Sequence, residues 1–304
     1  MMQVSSEEII IRPFKREDIN DLITGGFPFN KLALKYPWKY KALQLINLIP
    51  KTERIVAYHS SEKKTIGFLT LVKCSPHIYS IQYVFVNSRY RMMGVATKLL
   101  TNTISIVKIK GGRKVFADVT ESNEASRKLF KKLGFKTLSI AVEAYGSIKS
   151  YSKEAKNFSS TRSVSLRSNK KILFDIYRSC VSSDWIDFFE ITIKNFHKGY
   201  IYHFHRLVQF ICRKYFINDN EDSFAIVYKC PFLNKALIEL YSIADPKTVK
   251  HMLQDIFTLM SRKGVETIII IFFGSARAHK YEICSTLKEM GFNTFLIQIV
   301  GRDC

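Results

Sequence analysis

At 304 residues the chain is long enough for one large or two ordinary domains. With 47% hydrophobic and 24% charged residues it is globular rather than disordered. The longest aliphatic-aromatic run, Ile268 to Phe273, is too short to span a bilayer, and Glu7 and Glu8 stand where a secretory leader would be basic, so a soluble protein is expected. The net charge of +21, most of it in residues 1–150, attracts polyanions.

The six cysteines (Cys74, Cys180, Cys212, Cys230, Cys284 and Cys304) are scattered without a C-x-x-C pair, so neither a zinc site nor a disulfide framework is signalled and a reducing cytoplasm is expected. His203-Phe204-His205 is the one histidine cluster. It has no carboxylate or thiol close in sequence, and no metal is expected.

Taken in order, Glu8 to Phe14 reads as a strand, and a helix begins at Arg16-Glu17-Asp18, with Ile19, Leu22 and Ile23 at helical spacing. Gly25-Gly26-Phe27-Pro28 ends it. Ala42, Leu45, Ile46 and Ile49 mark a second helix, ending at Pro50. Arg54 to Tyr58, Thr65 to Val72 and Ile78 to Val86 read as three strands. Asn87-Ser88-Arg89-Tyr90 turns the chain, and a helix from about Val95 to Val107 carries Val95, Leu99, Leu100, Ile104 and Val107 as one apolar stripe. Val115 to Val119 is the next strand. Ala125, Leu129 and Leu133 form an i, i+4, i+8 seam that Gly134 ends, and Thr137 to Tyr145 is a closing strand.

The stretch Ile81 to Ala96, IQYVFVNSRYRMMGVA, is a strand that stops at a glycine-containing turn and opens a helix. The first helical N–H groups have no intrahelical acceptor and carry the positive end of the helix dipole, which makes an anion site. Gly94 allows close backbone approach, and Ala96 keeps the next position small.

Arg91-x-x-Gly94-x-Ala96 after a V-x-V strand resembles the pyrophosphate loop of the GNAT N-acetyltransferase superfamily. The segment from Asn123 to Phe135, NEASRKLFKKLGF, resembles that family's N-x-x-[AS]-x-x-L-[YF]-x-x-x-G-F helix. The order β-α-α-β-β-β-α-β-α-β is similar to the GNAT order throughout. The resemblance implies acetyl-CoA as co-substrate, with Val84, Phe85 and Val86 facing the pantetheine and acetyl carbonyl. It implies that Arg91, Met92, Met93, Gly94, Val95, Ala96 and Thr97 hold the pyrophosphate. Asn123 then approaches the cofactor arm, with Ser126 and Phe130 on the helix it opens; Asn123 also reads as a helix N-cap.

Transfer to an amine needs that amine deprotonated, and a lysine-type amine titrates at about 10.4; the leaving thiol, at about 8.5, benefits from a proton donor. Many family members carry a glutamate where this chain has Gln82, and a tyrosine where it has Phe130. An amide is no base and a phenyl ring no acid, so the catalytic residues stay open, with Glu143 and Tyr145 on the closing strand as candidates.

Residues 151–170, rich in serine and basic side chains, read as a linker. A helical stretch holds Ile172, Leu173, Ile176 and Tyr177, and Ser183 reads as the cap of a helix through Trp185, Ile186, Phe189 and Ile193. Another apolar segment runs from Leu207 to Phe216. Phe224 to Tyr228 and Ala236 to Tyr241 read as strands. Asp245-Pro246 starts a helix with Val249, Leu253, Ile256, Phe257 and Met260 on one face; a strand from Thr267 to Phe273, a helix and a last strand from Thr294 to Val300 follow.

Lys288-Glu289-Met290-Gly291-Phe292 echoes Lys131-Lys132-Leu133-Gly134-Phe135, so the expected fold is α/β (α+β): a GNAT fold, a mixed sheet flanked by helices, in two tandem copies. The expected boundaries are a GNAT domain over 1–150, a linker over 151–170 and a degenerate copy over 171–304. Its loop Ser242 to Lys247 lacks Arg-x-x-Gly, and its Asp and Pro disfavour a pyrophosphate. The expected activity is direct acetyl transfer to a primary amine of a small molecule, peptide or protein. The alternative is a non-catalytic acyl-CoA-binding module whose basic surface docks nucleic acid.

Overall fold

The computed structural model describes residues 8–26, 52–148, 161–196, 213–229, 234–274 and 277–304. The helix expected around Ala42 to Ile49, the His203-Phe204-His205 cluster, Cys212 and Cys230 lie outside the described residues.

The first half contributes β1 (Ile9–Pro13), α1 (Asp18–Thr24), β2 (Thr52–His59), β3 (Lys64–Lys73), β4 (Ile78–Val86), α2 (Val95–Ile109), β5 (Lys114–Thr120), α3 (Glu124–Lys132) and β6 (Lys136–Ser147). The second contributes β7 (Thr161–Val164), α4 (Leu166–Cys180), α5 (Ser183–Phe189), β8 (Arg213–Asn218), β9 (Ser223–Lys229), β10 (Lys235–Ser242), α6 (Pro246–Arg262), β11 (Thr267–Gly274), α7 (Arg277–Glu289) and β12 (Asn293–Asp303). Strand β7 and the start of α4 fall within the stretch read as a linker. Helix α5 is capped by Ser182, whose side chain accepts from the Trp185 N–H. It stops at Phe189, where Glu190 turns left-handed, so Ile193 lies outside it.

The twelve strands among the described residues form one mixed sheet in the order β1-β2-β3-β4-β5-β12-β6-β11-β10-β9-β8-β7. Read from either edge, each half lays down five strands in sequence and then receives the other half's last strand. β12 is antiparallel to both β5 and β6, and β6 is antiparallel to β11. The two halves therefore exchange their final strands, and the sheet has no internal edge between them.

Helix α2 buries Val95, Leu99, Leu100, Ile104 and Val107 against Tyr79, Ile81, Val115 and Ala117, as its apolar stripe requires. On the same face α6 and α7 cover Ile238, Leu240, Ile268, Ile270, Val142 and Ala144. On the opposite face α4 and α5 pack Trp185, Phe188 and Tyr177 against Phe116, Ala141 and Ile297, and α1 sets Leu22 on Val56 and Phe68. Each such side chain is worth roughly 2 kcal/mol of burial. In α3 the deeply buried residue is Phe130 rather than the Ala125-Leu129-Leu133 seam, because Ala125 is exposed and the two leucines lie half-buried at its flank.

The echoed Gly-Phe segments are built alike. Gly134 and Gly291 take φ +82 and +85, and the next N–H, of Phe135 or Phe292, returns 3.0 Å to the carbonyl of Phe130 or Leu287. Both phenylalanines then enter the core.

Candidate acyl-CoA site

The site begins where β4 leaves β5. Their parallel pairing covers Ile78–Ile81 against Lys114–Ala117 and then ends. β4 continues alongside β3 through a register shift, from Thr70↔Gln82 to Phe68↔Phe85. Tyr83 lies in that bulge with φ +55 and an exposed side chain. Bulges bend the strand that carries them, so β4 curves away while Asp118 to Thr120 of β5 stay paired with β12 on their other edge. A wedge opens between two parallel strands, with Val84, Phe85 and Val86 along one side.

The turn after β4 is pinned from below. The Asn87 N–H donates to the Ile66 carbonyl (2.9 Å), and its side chain accepts from the Arg89 N–H (3.1 Å). Tyr90 is buried and donates its hydroxyl to Glu62 (2.5 Å); burial, reinforced by that carboxylate, pushes the phenol up to about 12. Arg91 reaches back with Nε to the Val86 carbonyl at 3.3 Å, tying the loop to the strand end.

Met92 and Gly94 both adopt left-handed backbone, φ +64 and +77, which curls the chain into a concave loop. The Lys98 N–H to Gly94 carbonyl bond, 2.9 Å, is the first of α2, so the amides preceding it at the helix start have no intrahelical acceptor. A Cβ added at Gly94 would meet nothing within 4 Å. The glycine is required for its dihedral, and the space above it is open. Gly67 is different: a Cβ there would lie 3.0 Å from Leu99, 3.2 Å from the Phe85 carbonyl and 3.3 Å from Val95. Its lack of a side chain lets the start of α2 seat on β3. Sequence reading passed over both Gly67 and Tyr83; an isolated glycine inside a strand is the one available signal.

Wedge, open loop and unbonded amides at a helix N-terminus suit a thioester whose long arm ends in a diphosphate. Asn123 caps α3, its side-chain oxygen accepting from the Ser126 N–H at 3.1 Å. Phe130 is buried edge-on against Phe135, ring centroids 4.9 Å apart. Gln82 is half-buried on β4.

The structure brings Glu143 and Tyr145 together, but not to the wedge. They share one face of β6, two strands beyond β5 in the order β5-β12-β6, a lateral distance of roughly 10 Å.

In the second half the equivalent strands stay closed. β10 and β11 pair without a break from Lys235↔Thr267 to Ser242↔Gly274, and β9–β10 has no register shift. Asp245 accepts from the Lys247 and Thr248 N–H groups at the start of α6 (2.9 and 3.2 Å). Its carboxyl is held low by the hydrogen bonds from Thr248 and Lys247. Those amides already have an anion.

The sequence profile of the acetyltransferase (GNAT) family matches residues 17–135. Residues 17–135 are a GNAT-family domain. The GNAT domain's wedge, loop and helix are the parts just described. The structure as a whole is similar to that of a GCN5-related N-acetyltransferase from Sphaerobacter thermophilus, with a TM-score of 0.57 at 10% identity, covering 98% of this chain and 96% of that one. A tandem GNAT protein from the clavulanic acid biosynthesis pathway matches with a TM-score of 0.49 at 10% identity, over 97% of this chain and 98% of its own. An N-acetyltransferase from Staphylococcus aureus Mu50 matches 44% of this chain and 87% of its own, at 24% identity and a TM-score of 0.36. No curated protein sequence matches. Among the described residues no helix is long and apolar enough to cross a membrane, and no group of histidine, cysteine and carboxylate side chains is placed to hold a metal.

Proposed function

We propose that the chain is an acetyl-CoA-dependent N-acetyltransferase with one working site, in residues 1–150, and a degenerate second copy in residues 171–304. The observation that carries this reading is the wedge: β4 and β5 part at Ile81 and Ala117, beside a loop of open amides, whereas β10 and β11 stay paired to their ends. Arg91 through Thr97 would hold the pyrophosphate, and the backbone of Val84 to Val86 would bond the pantetheine amides along the wedge. The cofactor supplies an acyl carbon activated by its thiol leaving group. The chain orients that group, keeps water from it with the Val84 to Val86 side, and presents an amine. As the C–N bond forms and the C–S bond breaks, Gln82 cannot take the amine's proton and Phe130 cannot give one to the departing thiolate, so water or the acceptor itself carries the proton from the one to the other.

Calorimetry with acetyl-CoA tests the binding. Thiol release across a panel of primary amines, small molecules and peptides, tests the transfer, and binding without release from any amine rejects catalysis. A reducing cytoplasm remains the expected setting; the four described cysteines are free thiols.

One observation favours the second reading, an acyl-CoA-binding module that docks nucleic acid. A groove of about 490 Å³ runs beside α3 and is lined by Arg127, Lys128, Lys131 and Lys136, against a single carboxylate, Glu124, paired to Lys128 at 2.8 Å. Absent turnover together with steeply salt-dependent RNA or DNA binding, lost when Arg127 and Lys131 become glutamine, would establish it.

A further inference from the structure

Glu143 stands near the middle of the twelve-stranded sheet, directly opposite Ile271 of β11 and Phe295 of β12. Among the described residues no hydrogen-bond donor or cation meets its carboxylate, and burial raises the carboxyl above its ordinary range. A half-buried charge on an apolar floor without a partner is costly, and such groups call for an explanation. Beside it the Tyr145 and Phe295 rings stack at 6.0 Å and 16° while remaining 44% and 43% exposed. Ile269, opposite Tyr145, is only half-buried. The strand exchange creates this surface, since Glu143 and Tyr145 come from one half and Phe295, Ile269 and Ile271 from the other.

A lone carboxylate beside exposed aromatic rings has the chemistry of an organic-cation site: the carboxylate supplies the counter-charge, and the ring faces attract the cation and its hydrocarbon. In a chain of net charge +21 a cation finds no general attraction, so affinity here must be local. The site lies roughly 10 Å across the strands from the wedge, too far for Glu143 to take a proton from the reacting amine.

We infer that Glu143, with Tyr145 and Phe295, binds a second cationic group on the acceptor, which makes the acceptor an extended dication: a diamine, or a peptide amine followed by a basic side chain. The assignment of this cation to an acceptor rests on the acyl-transfer reading; the cation site itself does not.

The test uses the full chain and two probes, 1,8-diaminooctane and 1-aminooctane, titrated by calorimetry without acetyl-CoA. The diamine is expected to bind at least tenfold tighter than the monoamine. Glu143→Gln removes that preference, and Phe295→Leu, which keeps the floor apolar, weakens the diamine several-fold. Equal affinity for the two probes, no binding of either, or a preference that survives Glu143→Gln overturns the site. Should Glu143→Gln not fold, Phe295→Leu decides: unchanged diamine affinity overturns the site. Diamine binding that depends on Glu143, with no acetyl transfer to any amine, keeps the cation site and rejects the acyltransferase reading instead.

Discussion

Gly94 holds φ +77 with open space where a side chain would project, so substitution there acts through the backbone. Gly94→Val should destabilise the fold by about 1–2 kcal/mol, the cost of a left-handed L-residue. It should weaken acetyl-CoA at least tenfold, because the relaxed loop no longer aims its amides at one point; calorimetry and urea unfolding separate the two effects. Elsewhere in the same domain Asp18, 2% exposed, accepts from Arg12 at 2.7 and 2.9 Å, from the Lys15 N–H at 2.6 Å and from the Thr65 hydroxyl. Burial pushes its carboxyl up, but these bonds outweigh burial and hold it low. A depressed carboxyl contributes stability that is present above the unfolded pKa, near 3.9, and lost as pH falls through the folded value. Asp18→Asn should therefore cost roughly 3 kcal/mol at pH 7 and flatten the acid limb of the stability curve; denaturant midpoints from pH 7 to pH 2.5 check both. Of these residues Gly94 was legible in sequence, through its place in the Arg91-x-x-Gly94-x-Ala96 pattern between a strand and a helix. Gly67, Tyr83 and Asp18 were not. Tight packing on a strand, a bulge in a tyrosine and a long-range carboxylate network leave no local pattern.

At the level of elements most of the chain was legible, since alternation and 3.6-residue periodicity are local. The strands Ile78–Val86 and Thr267–Gly274 and the stripes of α2 and α6 fall where their residue patterns place them. The echoed Gly-Phe helix ends were legible too, because a left-handed glycine followed by a buried aromatic repeats a covalent signature. The exchange of β6 and β12 was not. A buried strand looks the same whichever neighbours it takes, and the partners of β12 lie more than a hundred residues away. The exchange has a mechanical consequence. Deleting residues 293–304 removes Ile297, Ile299 and Val300 from the core, a loss of about 6 kcal/mol of burial, and opens two strand edges as well. That approaches a whole domain's stability of 5–15 kcal/mol, so the truncated chain should lose near-UV circular dichroism and cooperative melting. Residues 1–160 expressed alone should fail in the same way. Co-expressed with residues 161–304, they should be recovered as a one-to-one complex that melts cooperatively.

Across the whole molecule, two halves of one architecture differ at the place where a cofactor would enter. The first has a bulged β4, a pairing that ends at Ile81, and amides opened by Gly94. The second has an unbroken β10–β11 ladder. There the Ser242 hydroxyl contacts that of Ser223 at 2.6 Å and accepts from the Ala244 N–H, while Asp245 occupies the first amides of α6. Opening that second wedge would break parallel ladder bonds, each worth about 1 kcal/mol net, and would set a diphosphate against a carboxylate. Neither expense arises in the first half. Titration of the full chain with acetyl-CoA should therefore give one site per chain. Arg91→Ala together with Gly94→Val should abolish the heat entirely rather than halve it. Replacing Asp245 with serine, which keeps a cap but removes the charge, should leave the stoichiometry at one, because the closed ladder still excludes the pantetheine arm. A second binding event in either the parent chain or the Asp245→Ser variant would show that the C-terminal wedge opens on demand and that both halves are cofactor sites.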